Sequence, residues 1–356
     1  MKNVRDFGAV GDGVADDTAA IQATIQAGGC AYAPEGRYNL TAPLFINDVY
    51  GERLIGDGPR NTIFEWMGNA TDAAIVLASS YTGALEDFSI HVITPKVLHT
   101  GILIYTKTVP RTYVSRTNRF INLTIEGNTN ELGTGVRIGG LVGADANNDF
   151  HYFESVRVLN YSGIAYSLEN SQVYGIQFQN CSFVSGIAGA HGVSTRDHPS
   201  GNGIGGNFLW SGGGGAVWGT AFRLGSHNGG ATTIQNADFE RAARLLETGG
   251  ASPGDFRNTI LDGVSYRSVA PAVDGYVIKF LFGGNLSLRN CRIGLNKAFP
   301  LRIQLIGTLP GVYSIQESIF LSSNATIDTL VPYVPSVRVR NSIIQTPTGN
   351  VAINNS

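Results

Sequence analysis

Apolar and polar positions recur along the chain in one six-residue pattern: apolar, any, small or polar, two of any kind, apolar. The copies read LEDFSI (85–90), FINLTI (120–125), FESVRV (153–158), FQNCSF (178–183), IQNADF (234–239), LDGVSY (261–266), LRNCRI (288–293), IQESIF (315–320) and VRNSII (339–344). Their starts are 35, 33, 25, 56, 27, 27, 27 and 24 residues apart, and 56 is two steps of 28 with a weaker copy near IGGNFLW (204–210). A second pattern alternates with the first: Gly or Ala leading into a short apolar strand, as in AAIVLA (73–78), GILIYT (101–106), GIAYSL (163–168) and GTAFRL (219–224). Each period therefore holds at least two short strands joined by polar turns, with no helical stretch between them. That is one coil of a β-solenoid. The pattern predicts an all-β parallel β-helix of roughly ten coils, stacked about 4.8 Å apart.

Side-chain directions follow. In LRNCRI, Leu288, Cys291 and Ile293 point inward, Arg289 and Arg292 point outward, and Asn290 sits at a bend. There, stacked asparagines can hydrogen-bond from coil to coil. Cys181 and Cys291 take inward positions and read as core fillers. Terminal coils expose sheet edges and need caps. Residues 15–29, ADDTAAIQATIQAGG, predict a capping helix started by Asp16 or Asp17, with a stripe of Ala20, Ile21, Thr24 and Ile25, ended by Gly28. The organisation is a cap with first strands over 1–50, a parallel β-helix over 51–344 and a tail over 345–356.

Composition agrees. Glycine makes up 46 of 356 residues and charged residues only 15%, against a usual charged share of about 25%. So much glycine disfavours a helical bundle, and low charge with 43% apolar residues excludes a disordered chain. A net charge of −2 gives no footprint for nucleic acid. No apolar run predicts membrane insertion, and the opening MKNVRD shows no signal region. Three widely spaced cysteines, Cys30, Cys181 and Cys291, make neither a disulfide framework nor a metal cluster. No cofactor is expected. Asp145, Asn147 and Asp149 resemble the start of a calcium loop, but the twelfth place is Val156 rather than glutamate, so a turn is the better reading.

The segments DFGAVGDGVADDTAAIQATI (6–25), APEGRYNLTAPLFI (33–46) and RLIGDGPRNTIF (53–64) resemble the opening of pectate-lyase-superfamily proteins. The resemblance implies a single-stranded right-handed β-helix. Relatives include bacteriophage tailspike depolymerases, family 55 glucanases, polygalacturonases and polysaccharide lyases. It implies a homotrimeric, virion-tail protein that acts outside the cell on a bacterial capsule, exopolysaccharide or lipopolysaccharide glycan. Polygalacturonase motifs are absent apart from the Ala190-His191-Gly192 fragment, so that activity is discounted.

Glycoside hydrolysis needs two carboxyl groups flanking the scissile bond. The richest outward set is Asp238 and Glu240 on one strand, with Asp262 and Arg267 on the next coil and Arg289 and Arg292 on the one after. Stacking predicts Glu240 beside Arg267 and Gln235 beside Asp262. Asp238, Glu240 and Asp262 are the catalytic candidates. The three arginines, together with Trp210, Trp218, Asp197 and His198 from the irregular segment 185–219, are the substrate-binding ones. The alternative for the charged strip is a salt-bridge ladder on a solvated face. Other readings are a non-catalytic glycan-binding adhesin and a polysaccharide lyase. Outward apolar Ile319, Leu321 and Ile343 support a trimer, yet lie on the same strand series as the strip.

Overall fold

The computed structural model describes residues 1–355 except 71–72, 108–111, 140–146, 170–172, 196–207, 226–230, 250–257, 269–273, 282–283, 296–300, 307–311, 322–324, 331–335 and 346–350. Among these residues, all strand pairings are parallel, in a 24-stranded sheet, a 12-stranded sheet and a two-stranded pair. The protein is a parallel β-solenoid of about ten turns. Each coil gives one strand to the 12-stranded sheet and, across a sharp bend, two strands or two halves of one strand to the larger sheet.

The bend is the third position of the six-residue pattern. All nine copies place that residue in the left-handed region: Asp87, Asn122, Ser155, Asn180, Asn236, Gly263, Asn290, Glu317 and Asn341, with φ between 48° and 63°. Its N–H still reaches the next coil. Asn180 donates to the Ser211 carbonyl, Asn236 to Asp262, Gly263 to Arg289 and Asn290 to Gln316, at 2.8–3.1 Å. Two residues on, the ladder resumes, as Asp238 N–H donates to Gly213 and Arg292 N–H to Val264. Bend side chains do link coils, with aspartate as the acceptor: Asn122 Nδ2 donates to Oδ1 of the bend residue Asp87 on the preceding coil (2.7 Å), and Asn290 Nδ2 donates to Oδ1 of Asp262, the position just before the neighbouring bend (2.9 Å).

The inward positions stack. Phe120, Phe153 and Phe178 lie ring on ring, with centroids 4.5 and 5.0 Å apart, and Trp210 continues the column 5.3 Å beyond Phe178. Trp210 is fully buried. Its register fixes the missing repeat. Trp210 pairs with Phe178 and Gly215 with Phe183, so the copy is Trp210–Gly215 and not residues 204–210. At the sixth position of that copy, a Cβ on Gly215 would fall 2.3 Å from the Phe183 ring. Its absence lets Phe183 and Phe239, two coils apart, stack at 5.8 Å. Cys181 and Cys291 are buried core fillers, and burial pushes their thiols up to about 12 and about 11.

A helix spans Thr18–Gln26 and buries Ile21, Thr24 and Ile25. The two aspartates before it divide the work. Asp16 Oδ1 accepts from Thr18 N–H (3.0 Å), while Asp17 accepts from Val10 and Gly11 N–H and so ties down the glycine-rich loop before it. No helix among the described residues is long and apolar enough to cross a membrane.

Replacing the left-handed Asn236 tests the bend. Asn236→Val is expected to cost about 1–2 kcal/mol, the penalty of a side chain in this region. Asn236→Gly should stay within about 0.5 kcal/mol. Denaturant unfolding of both variants checks the difference.

Candidate functional site

Two residues past each bend, and again four past it, side chains of the larger sheet point outward, and equal positions stack in columns. The nearer column runs Ser89, Thr124, Arg157, Ser182, Gly214, Asp238, Ser265, Arg292, Ile319. The farther runs Glu65, His91, Glu126, Leu159, Val184, Ala216, Glu240, Arg267, Gly294, Leu321. A third column, just before the bend, carries Gln235, Asp262 and Arg289.

The structure brings together Asp238, Glu240, Asp262, Arg267, Arg289 and Arg292. Asp238 and Glu240 alternate on the strand Asp238–Glu240 around buried Phe239. The register pairs Glu240 with Arg267 and Gln235 with Asp262. Glu240 Oε1 accepts from Arg267 Nη2, and the two side chains are 46% and 70% exposed. Such exposure limits the pair to at most about 1 kcal/mol. Arg289 and Arg292 are exposed. On the preceding coil, the residues beside Asp238 and Glu240 are only Gly214 and Ala216, so the carboxylates rise above a low shelf.

Other candidates fare differently. Trp210 has no face for a sugar, because it completes the interior aromatic column. Trp218 is 43% exposed. Asp197 and His198 lie outside the described residues, as does Asp145, while Asp149 is buried, lies 3.6 Å from Arg116 and accepts from Tyr174 N–H. The nearer column turns apolar at Ile319, which is 37% exposed. The side chain of Ile343 is outside the described set.

The same face carries a second polar feature that the linear sequence hides. A cleft of about 620 Å³ lies between the segment 58–61 and the outward columns, lined by Arg60, Asn61, His91, Asn122, Thr124, Glu126 and Arg157 among others. Its size is that of a small-ligand pocket. His91 stacks between Glu65 and Glu126, and its Nε2 lies 3.9 Å from Glu126 Oε2. Glu65 is nearly buried and paired with Arg37 at 2.6 Å. Burial lowers the His91 pKa below the ordinary imidazole range, Glu126 and Glu65 pull it back and Arg37 pushes it further down. The only signal in the sequence was the column position, since Arg60, His91 and Arg157 come from three different coils.

The architecture defines a class, the single-chain parallel β-solenoids with a polar outward sheet face. The family model described as "Rhamnogalacturonase A/epimerase, pectate lyase-like" matches residues 1–206, and the chain belongs to this family. Mannuronan C5-epimerase AlgE5 of Azotobacter vinelandii is 36% identical over 106 residues, which cover 26% of this chain and 10% of the epimerase. The chain thus matches about a tenth of that relative's length. Two solved structures share the fold over 99% of this chain. They are DFA-IIIase from Arthrobacter chlorophenolicus A6 (TM-score 0.64, 11% identity, 98% of that chain) and the N-terminal fragment of bacteriophage Phi29 gene product 12 (TM-score 0.60, 13% identity, 65% of that chain).

Folding disfavours the protonated form of His91. The stability tied to it is present above the unfolded value of about 6.5 and is lost as pH falls toward the lower folded one. Glu126→Gln should move the His91 titration to still lower pH, and Arg37→Gln should raise it. Imidazole proton shifts followed against pH by NMR check both directions.

Proposed function

We propose that this protein binds a bacterial surface polysaccharide along the outward face of the 24-stranded sheet and hydrolyses it at Asp238 and Glu240. The observation that carries the reading is the paired carboxylates standing over the Gly214–Ala216 shelf, where a sugar ring meets no side-chain wall. In hydrolysis, water adds across the glycosidic C–O bond. One carboxyl gives its proton to the leaving oxygen, and the other takes a proton from the attacking water or itself attacks the anomeric carbon. Asp262, Arg267, Arg289 and Arg292 hold sugar hydroxyls or carboxylates, and Trp218 offers a stacking face. Family membership supports a polysaccharide substrate.

The wider reading is a tailspike-like virion protein acting on capsule, exopolysaccharide or lipopolysaccharide. It is supported by the shared fold with the Phi29 fragment. In this reading the helix Thr18–Gln26 lids the first coil, the coils wind right-handed, and three copies associate at the end where Ile319 and Leu321 face outward.

Asp238→Asn and Glu240→Gln should each lower reducing-end release from a cleaved glycan by roughly 10²–10⁴-fold. The thermal midpoint should barely move, because neither side chain is buried. Full activity in both variants sinks the assignment. A product absorbing near the ultraviolet edge would mark elimination instead, and glycan binding without any product would mark an adhesin.

A further inference from the structure

We propose that the cleft beside His91 is a separate binding site for a carboxylate-bearing sugar residue of the glycan. Its ligand class rests on reading this sheet face as the glycan track, but not on where cleavage occurs.

The wall is built rather than draped. Gly56 N–H donates to Glu86 O and Gly58 N–H to Asp87 O, and both acceptors lie on the neighbouring coil. Thr62 Oγ1 donates to Ala33 O and accepts from Asp57 N–H. The Asp57 carboxylate accepts from Tyr32 Oη and Glu35 N–H. A Cβ on Gly56 would fall 2.3 Å from the Asp87 carbonyl oxygen, so only glycine lets the segment lie this close to the bend. The cleft is therefore formed before any ligand arrives, which spares the ordering cost of binding.

Its charges are arranged for an anion. Arg60 and Arg157 are exposed, and neither has an ion pair among the described residues. Guanidinium forks match a carboxylate with two parallel hydrogen bonds. Glu126 is the one acidic side chain in the lining, against the two guanidinium groups, and it accepts from Asn160 Nδ2 at 3.4 Å; Glu65, which does not line the cleft, is held by Arg37. Asn61, Asn122 and Thr124 supply donors and acceptors for hydroxyls.

Position ties the cleft to the track. Arg157 and Asp238 occupy one column, three coil spacings or about 14 Å apart. Between them the two outward columns carry only Ser182, Val184, Gly214 and Ala216, a low floor. A glycan with an acidic residue in the cleft runs along this floor to the carboxylates.

The test is binding, not turnover. Calorimetry on the whole chain carrying Asp238→Asn would use oligomers of glucuronate, galacturonate and mannuronate, each against its methyl ester. At least one acid should bind roughly tenfold or more tighter than its ester. Arg60→Glu with Arg157→Glu should abolish that preference, read as the ratio of acid to ester affinity in the same variant, and both sites are exposed enough to spare folding. His91 imidazole shifts should respond to the acid. Equal binding of acid and ester, no binding of any acid, or a preference that survives both charge reversals overturns the proposal. Loss of activity in Asp238→Asn or Glu240→Gln bears only on the cleavage reading.

Discussion

The solenoid depends on turning a corner without breaking the ladder of hydrogen bonds between coils. A buried or half-buried backbone N–H left without an acceptor costs about 1–3 kcal/mol, and a coil that bends in a regular strand conformation would leave one at every turn. A single residue at positive φ solves this. It rotates the chain, and its own N–H still meets the neighbouring coil. The same device recurs at the bend entering the larger sheet, where Thr82, Thr117 and Phe150 have φ of 53–58° and donate to Arg116, Asp149 and Tyr174. It appears again at Asn160 and Arg241, which donate to Val184 and Arg267. The left-handed region disfavours most side chains by about 1–2 kcal/mol, and asparagine, aspartate and glycine bear it best. That requirement accounts for asparagine, aspartate or glycine at seven of the nine pattern bends and for part of the glycine excess, while Ser155, Glu317, Thr82, Thr117, Phe150 and Arg241 bear the penalty.

Once bends repeat, equal positions must stack, and chemistry is written in columns. The inward columns hold rings on rings. The outward columns hold whatever each coil places there, at a fixed spacing of about 4.8 Å. The coil of Trp210–Gly215 joins the two sides. Its glycine at the sixth position admits the Phe183–Phe239 stack inside, and its small outward residues form the low shelf beside Asp238 and Glu240 outside. One glycine-rich stretch thus serves both the core and the surface.

Much of this was legible in sequence. The six-residue pattern located the bends, the inward Leu288, Cys291 and Ile293, and the pairings Glu240–Arg267 and Gln235–Asp262. Each of these depends only on counting within a repeat. Trp210 misled because its repeat has glycine where its neighbours carry asparagine and phenylalanine, so the pattern vanished and the tryptophan looked like part of a loop. The cleft was hidden for a different reason. Its wall replaces a one-residue bend with the longer segment 56–61, and its charged groups come from positions 60, 91, 126 and 157. Counting finds columns, but it does not find what an irregular segment leans over.

Column logic also resolves a tension in the surface itself. The charged strip and the outward apolar residues lie on the same strand series, so a contact between copies that covered the whole series would cover the carboxylates too. The register separates them along the axis. Down one column the order is Asp238, Ser265, Arg292, Ile319, and down the other Glu240, Arg267, Gly294, Leu321. Character changes in a single coil step, from Arg292 to Ile319. A contact between copies that begins at Ile319 leaves Asp238 and Glu240 about 14 Å away, three coil spacings up the column. The arginines at Arg267 and Arg292 then stand between the apolar end and the acids. Burying those arginines unpaired would be costly, so in the proposed assembly a contact starting at Ile319 would stop at the charges that border the acids.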